Sequence, residues 1–127
     1  VWVACLVNPD KKYAFNPAQR LAIVNCVCEQ KKGAKALYSD KYAVEVAADV
    51  GASVLVRGIR GDEDRAYEED MAKFNREHGF ETVFIEPSAF SKISSTLARE
   101  QISKGDYSSV PACCVSLITS KEFENLK

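Results

Sequence analysis

The chain has 127 residues, of which 46% are hydrophobic and 28% charged, and its formal net charge is −1. These values are typical of one globular domain with a single core. The near-neutral charge excludes a bulk basic field for nucleic acid or acidic membranes, so an acidic ligand has to be held by a few well-placed cations. No apolar run reaches the roughly 18 residues that a membrane span requires.

The chain begins with strand and helix patterns in alternation. Val1–Val7 is a near-continuous apolar run, which predicts a strand covered on both faces. Asn16 and Pro17 predict the cap and the first position of a helix that stops near Gly33. A short strand is predicted around 36–38.

The middle of the chain repeats this order. Asp40 is the expected cap of a second helix, which Gly51 ends. Ser53–Val56 predicts a compact buried strand, and 62–78 predicts a long charged helix. The apolar stripe expected on the long helix consists of Ala66 or Tyr67, Met71 and Phe74.

The last third adds one more strand and its helices. Thr82–Glu86 predicts a strand, and a helix is expected to begin at Ser94 or Ser95 and to end at Gly105. Residues 106–127 then predict a C-terminal helical tail.

The alternation predicts βαβ units, and therefore an α/β fold with a Rossmann-like parallel sheet and flanking helices, formed by residues 1–127 as one domain. In such sheets, ligands bind beyond the carboxyl ends of the strands. Three segments follow predicted strand ends, namely Asn8–Lys12, Arg57–Asp64 and Pro87–Thr96.

The five cysteines are odd in number, and their spacing matches no zinc or redox motif. We therefore expect buried or half-buried free thiols in a reducing compartment, which favours a cytoplasmic location. They are Cys5, Cys26, Cys28, Cys113 and Cys114.

Two of the three segments carry cations beside a strand end. Lys11 and Lys12 can hold a phosphate as point charges, although a solvated loop is the simpler interpretation. Arg57 and Arg60 flank Gly58, which lets a ligand approach the backbone, and their planar forks suit phosphate oxygens. The alternative for this second segment is a salt-bridged helix start.

The third segment brings hydroxyl groups to a helix start. Ser94, Ser95 and Thr96 lie where free backbone N–H groups form a ready anion site, and they exceed what one N-cap requires. His78 is the single histidine, at the end of a charged helix, where it can contact the last carbonyl groups. Triad chemistry and histidine metal sites are therefore not expected.

Four groups of residues occur together in the order of a known family. They are Asn8-Pro9-Asp10-Lys11-Lys12 with Phe15 and Arg20, Arg57-Gly58-x-Arg60-x-x-x-Asp64-x-x-Tyr67-Glu68, Asn75-Arg76, and Ile93-Ser94-Ser95-Thr96. Over about Val1 to Glu100, the chain thereby resembles phosphopantetheine adenylyltransferase, a family of the nucleotidyltransferase superfamily. The arginine–glycine block is specific, whereas the serine-rich block is shared across the superfamily.

The resemblance implies an enzyme that transfers an adenylyl group from ATP to 4′-phosphopantetheine with Mg²⁺, giving dephospho-coenzyme A and pyrophosphate for coenzyme A biosynthesis. By position, Lys11 and Arg60 would be catalytic, and Lys11, Arg57 and, more loosely, Ala43 would bind phosphopantetheine. The ATP site would comprise Gly58, Ile59, Arg60, Glu68, Phe90, Ser91, Lys92, Ile93, Ser94, Ser95 and Thr96. A homo-oligomer, commonly a hexamer in the family, is expected, with neither nucleic acid nor membrane as partner.

One part of the family pattern is missing from this sequence. The family opens with a strand, a Thr-x-Asp-Pro loop and a helix with a His-x-Gly-His pair, and its first strand lies between those matching Val1–Val7 and Ser53–Val56. We expect a longer parent chain to supply this unit, or these strands to pair differently. The alternatives are a nucleotidyltransferase for another phosphorylated acceptor or a cytidine nucleotide, and a non-catalytic nucleotide- or coenzyme-A-binding module.

Overall fold

A computed structural model describes residues 1–59, 62–86 and 94–120, with the side chains at 62 and 63 excluded. Strands and helices alternate along these ranges. They are β1 (Trp2–Leu6), α1 (Pro17–Cys28), β2 (Lys35–Ser39), α2 (Ala43–Asp49), β3 (Val54–Gly58), α3 (Asp62–Glu77), β4 (Glu81–Ile85), α4 (Ser95–Ser103) and α5 (Ala112–Ile118).

The chain divides into two compact units. The first unit comprises Val1–Asp40 and Ile93–Lys127, and the second comprises Lys41–Lys92. β1 pairs in parallel with β2 in the first unit, and β3 pairs in parallel with β4 in the second. Parallel strands linked by helices confirm the predicted α/β class, whereas the assignment of 1–127 to one domain stays a prediction.

The helix α1 begins as its sequence predicts. The Asn16 side chain accepts a hydrogen bond from the backbone N–H of Gln19 at 2.9 Å, and the Gln19 side chain accepts one from the Asn16 backbone N–H at 2.9 Å. This reciprocal capping box satisfies two backbone donors, and Pro17 fills the first helical position. The helix itself ends at Cys28, short of Gly33.

The prediction that β1 and β3 are buried is wrong. Trp2 and Val3 in β1 are 45% and 39% exposed, and Val54 and Val56 in β3 are 45% and 60% exposed. The physical reason is that each strand belongs to a two-stranded sheet within the described ranges, which is too narrow to enclose both faces. β1 and β3 are not paired with each other there, so the expectation of a supplied strand between them stays a prediction.

The second unit corrects two further expectations. Tyr42, and not Asp40, is the N-cap of α2, where the Glu45 carboxylate accepts a hydrogen bond from its backbone N–H at 3.2 Å. Along α3, Ala66 and Tyr67 are exposed and Met71 and Phe74 are half-buried. The buried face of α3 consists of Glu68, Ala72 and Asn75.

The C-terminal helices complete the first unit. Ser94 caps α4, and Gly105 follows it with a φ of +81°, both as predicted. α5 packs on α1 and buries Cys114 and Ile118, so the predicted tail belongs to the first unit as far as it is described. None of the helices in the described ranges combines the length and apolar character needed to cross a bilayer.

Candidate active site

A bidentate ion pair joins the end of β3 to α3 in the second unit. Arg57 donates from Nε to one Glu68 carboxylate oxygen at 3.0 Å and from Nη2 to the other at 2.9 Å. The Glu68 side chain is only 8% exposed, whereas the Arg57 side chain is 50% exposed. The pair therefore fixes the direction of a half-exposed guanidinium at the carboxyl end of a parallel strand.

The burial of Glu68 makes this pair necessary. A buried carboxylate without a partner is costly, and two charge-assisted hydrogen bonds offset that cost. The Glu68 hydrogen bonds in turn raise the pKa of Arg57 above its ordinary value, against the opposing effect of partial burial. A guanidinium has three further N–H donors beyond these two, so a phosphate on the exposed side of Arg57 can be bound without breaking the pair.

Gly58 and Ile59 follow Arg57 and differ in accessibility. Among the residues that the structure describes, a Cβ atom built on Gly58 would meet only the Ile85 backbone oxygen, at 4.0 Å. Packing by these residues therefore leaves room beside this strand end. Ile59 is 2% exposed, and its backbone N–H donates to the Ile85 oxygen at 2.9 Å. Its side chain is thus a core residue of the second unit, and its assignment to an ATP site stays a prediction.

Asn75 is a buried polar residue whose role the sequence did not assign. Its side-chain Nδ2 donates to the Thr82 hydroxyl at 3.1 Å, which ties α3 to β4. Its Oδ1 is buried and has no hydrogen-bond partner among the described residues. Spacing is the sequence signal that indicates its burial beside Glu68, because Asn75 lies two helical turns after Glu68 and therefore on the same face.

In the first unit, a turn follows β1 and presents Lys11. The Asn8 side chain accepts a hydrogen bond from the backbone N–H of Asp10 at 3.0 Å, and the Asn8 backbone oxygen accepts one from the backbone N–H of Lys11 at 3.0 Å. The Asn8 N–H donates to the Tyr13 hydroxyl at 2.8 Å. Lys11 and Lys12 are both exposed. These contacts order the backbone of the turn, while the lysine side chains extend into solvent.

Arg20 braces the same turn from α1. Its Nη2 donates to the Leu6 backbone oxygen at 3.1 Å, at the end of β1. Its guanidinium also lies 3.9 Å from the centre of the Tyr13 ring, a cation–π contact. Arg20 therefore has a structural role in holding the strand end and the turn together.

At the start of α4, the hydroxyl groups have different environments. The Ser94 Oγ accepts a hydrogen bond from the Leu97 backbone N–H at 3.1 Å, an ordinary N-cap. Ser95 and Thr96 are exposed, and the Thr96 Oγ1 accepts a long 3.5 Å contact from Arg99. An anion at this helix start would thus meet the first backbone N–H groups and the hydroxyl of Ser95.

The described part of the chain distributes the predicted site over both units. Lys11 and the start of α4 lie in the first unit, and Ala43, at the start of α2, lies in the second with the Arg57–Glu68 pair. The remaining predicted residues lie outside the described ranges, namely Arg60, Phe90, Ser91, Lys92 and Ile93.

His78 and three of the five thiols have surroundings that do not favour a nucleophile. The His78 Nδ1 lies 2.8 Å from the Phe74 backbone oxygen, as expected for a histidine that contacts the last turn of a helix. Burial raises the pKa of Cys5, Cys26 and Cys114 above the ordinary thiol value. These thiols are therefore not activated nucleophiles.

The sequence comparisons agree on one family. A phosphopantetheine adenylyltransferase of Leifsonia xyli subsp. xyli is 39% identical over 127 residues, covering 94% of this chain and 80% of that protein. One of Treponema pallidum subsp. pallidum is 33% identical over 126 residues, covering 95% and 79% respectively. One of Haemophilus ducreyi is 34% identical over 103 residues, covering 79% and 64%. No protein-family model matches the chain.

Proposed function

Because this chain belongs to the phosphopantetheine adenylyltransferase family, we propose that it transfers an adenylyl group from ATP to 4′-phosphopantetheine. The products are dephospho-coenzyme A and pyrophosphate, in coenzyme A biosynthesis. The observation that carries the proposal is the Arg57–Glu68 pair, a half-exposed guanidinium held at a strand end by a buried carboxylate. Such a group is suited to bind an acceptor that carries a phosphate, whereas a plain alcohol offers no anionic oxygens for the guanidinium to bind.

The acceptor half of the reaction requires little from the protein beyond positioning. The nucleophile is a phosphate oxygen, which is already anionic at neutral pH, so no general base has to remove a proton. Arg57 binds that phosphate through its remaining N–H donors and holds it in a fixed direction, with Lys11 and Ala43 as further acceptor contacts. The absence of an acid–base pair among the predicted site residues is consistent with this chemistry.

The nucleotide half requires positive charge around ATP. Lys11 contacts the reacting phosphates and, with Arg60, stabilises the charge that develops at the α-phosphate. The start of α4 receives the leaving pyrophosphate at Ser95 and Thr96, where backbone N–H groups favour an anion. Glu68 belongs to this nucleotide site by position, and its carboxylate also orients Arg57, which holds the acceptor phosphate.

Mg²⁺ enters as part of the substrate, bound to the ATP phosphates. Mg²⁺ is commonly bound through substrate phosphates with few protein ligands. Within the described residues, the one group of three or more candidate metal donors consists of thiols, which do not suit Mg²⁺. We therefore assign the ion to the nucleotide and not to a resident protein site.

The remaining parts of the proposal are a cytoplasmic location, dephospho-coenzyme A or coenzyme A as a bound ligand, and self-association, as a hexamer by family resemblance. The net charge of −1 supports the exclusion of nucleic acid and acidic membranes as partners.

A second candidate is a nucleotide- or coenzyme-A-binding module without turnover. A related nucleotidyltransferase with another phosphorylated acceptor is the variant of the first candidate.

The experiment that separates these candidates combines turnover with binding. The protein is mixed with ATP, Mg²⁺ and 4′-phosphopantetheine, and pyrophosphate release is measured. Calorimetry with ATP, CTP and dephospho-coenzyme A is run in parallel. Pyrophosphate release supports the enzyme. Binding of ATP and dephospho-coenzyme A without release supports the module, stronger binding of CTP supports the related enzyme, and no binding of any ligand contradicts all three.

A further inference from the structure

Three thiols from distant parts of the sequence meet in the first unit. Cys26 lies on α1, and Cys113 and Cys114 are adjacent on α5, which packs against α1. The Cys26 sulfur lies 2.8 Å from that of Cys113 and 3.5 Å from that of Cys114. All three sulfurs lie within 4.8 Å of one another. We refer to Cys26, Cys113 and Cys114 as the thiol cluster.

The thiol cluster is largely buried, and within the described residues its further polar partner is one backbone oxygen. Cys114 is 2% exposed, while Cys26 and Cys113 are half-buried, so two of the three side chains are partly exposed. The Ile23 backbone oxygen accepts from the Cys26 thiol at 3.0 Å and lies 3.9 Å from the Cys114 sulfur. Among the described residues, no histidine or carboxylate belongs to the group. The donor set consists of sulfur alone.

A set of this kind selects a soft metal ion. Thiolates favour Cu(I) and Zn²⁺ over the hard ions Mg²⁺ and Ca²⁺. Structural Zn²⁺ sites have four protein ligands in a tetrahedral arrangement, whereas the cluster supplies three. With metal–sulfur bonds of about 2.3 Å, the sulfurs of a trigonal centre lie about 4 Å apart, so the shorter gaps here have to widen by roughly an ångström.

We propose that Cys26, Cys113 and Cys114 form a three-thiolate site for a soft metal ion, with Cu(I) the ion that their number and chemistry fit best. Binding forms three metal–sulfur bonds and releases the thiol protons to solvent, and no oxidation state changes. A disulfide would use only two of the three sulfurs and would require an oxidant. The inference does not depend on the proposed function, because none of these residues belongs to the candidate active site.

The test is a Cu(I) titration of the fully reduced protein without oxygen, in competition with a coloured Cu(I) chelator. We expect one Cu(I) per chain and three sulfur neighbours in X-ray absorption spectra. Cys26→Ser, Cys113→Ser and Cys114→Ser should each lower the Cu(I) affinity by more than the 10- to 100-fold that loss of an outer-shell partner causes. Circular dichroism checks that each variant is folded.

The matched control is Cys28→Ala, which removes a thiol from the same helix but outside the cluster. It should bind Cu(I) like the parent protein. Loss of binding only in the three cluster variants supports the site. The proposal is overturned if the Cys26→Ser/Cys113→Ser/Cys114→Ser variant retains full Cu(I) affinity, or if the reduced protein takes up no Cu(I), whether or not a Cys26–Cys113 disulfide forms in air. Displacement of Cu(I) by Zn²⁺ at equal concentration would overturn the assignment of Cu(I) to the site.

Discussion

Arg57 and Lys11 are both predicted to bind phosphate, yet the fold holds them in different ways. Two hydrogen bonds of 3.0 and 2.9 Å attach the Arg57 guanidinium to the buried Glu68 carboxylate. In the turn after β1, hydrogen bonds order the backbone around Lys11, while its side chain is exposed. Ordering a lysine side chain costs about 1.5–2 kcal/mol of rotamer freedom. The hydrogen bonds to Glu68 already order the Arg57 side chain in the folded protein, so ligand binding does not have to order it. Arg57 should therefore contribute to folding and to binding, and Lys11 to binding alone.

Arg57→Ala is expected to have the largest effect because it should lower both the stability of the protein and its affinity for the acceptor. It leaves the Glu68 carboxylate buried without a partner, which should lower the free energy of unfolding by about 1–3 kcal/mol. This is less than for a fully buried pair because Arg57 is 50% exposed. It should also weaken 4′-phosphopantetheine binding by about 1.5–3 kcal/mol, the scale of a charged hydrogen bond. Denaturant unfolding and calorimetry measure the two effects.

Two controls separate folding from binding in that experiment. Arg57→Ala/Glu68→Ala removes the unpaired carboxylate, so it should recover stability but not affinity for phosphopantetheine. Pantetheine, which lacks the phosphate, should bind the parent protein and Arg57→Ala equally. If affinity for phosphopantetheine is unchanged in Arg57→Ala, the residue does not bind the acceptor phosphate and the pair is purely structural.

Lys11→Ala should weaken ligand binding without lowering the stability of the protein. We expect ATP affinity in the presence of Mg²⁺ to fall by about 1–2 kcal/mol, because the lysine has to be ordered on binding. Stability should stay within about 0.5 kcal/mol of the parent, as for most exposed positions. Lys12→Ala is the matched neighbour and should change neither quantity. An equal loss of affinity in both variants would mean that the turn attracts nucleotide only through its general charge.

Features that depend on contacts between near neighbours in the sequence could be predicted, whereas features that depend on the assembled sheet could not. Asn16 with Pro17 and Ser94 with Gly105 mark helix ends through contacts within a few residues, and these ends were predicted correctly. The burial of Val56 was predicted wrongly, because exposure of a strand depends on how many strands pair beside it. Local signals fix the elements, whereas burial is a property of the assembled sheet.

The site was predicted as single residues and not as contacts. Arg57 and Glu68 were each assigned to a ligand, and a salt-bridged helix start was the alternative for this segment, but the pattern did not identify the two partners because it predicts a solvent-exposed charged helix. Glu68 and Asn75 occupy the core-facing side of α3, where an apolar stripe was expected. The thiol cluster was beyond prediction, since the spacing of Cys26 and Cys113 in sequence carries no motif.

Ser94 and Ser95 repeat the contrast between a fixed and an exposed group within one helix start. Ser94→Ala removes the cap that accepts from Leu97, so the free energy of unfolding should fall by about 1 kcal/mol. Ser95→Ala should leave stability unchanged and instead weaken pyrophosphate or ATP binding. Thermal unfolding and calorimetry of the two variants distinguish these outcomes. Reduced ATP affinity in Ser94→Ala alone would assign the anion contact to the cap residue itself.

The smallest effect is expected where a charged group caps an exposed turn. The Asp106 carboxylate accepts a hydrogen bond from the Ser108 backbone N–H at 3.0 Å, as the neutral Asn8 side chain does from Asp10. The backbone and side-chain hydrogen bonds from Ser108 lower the pKa of Asp106 below its ordinary value of 3.8. Because the pKa is lowered in the folded state, the carboxylate contributes stability at pH values above its ordinary pKa, and this stability is lost as the pH falls through the folded-state pKa.

Asp106→Asn keeps an acceptor without the charge. The melting temperature of the parent minus that of Asp106→Asn should therefore be slightly positive near neutral pH and should shrink below the ordinary pKa. A difference that does not change with pH would show that the turn uses only the acceptor and not its charge, as at Asn8.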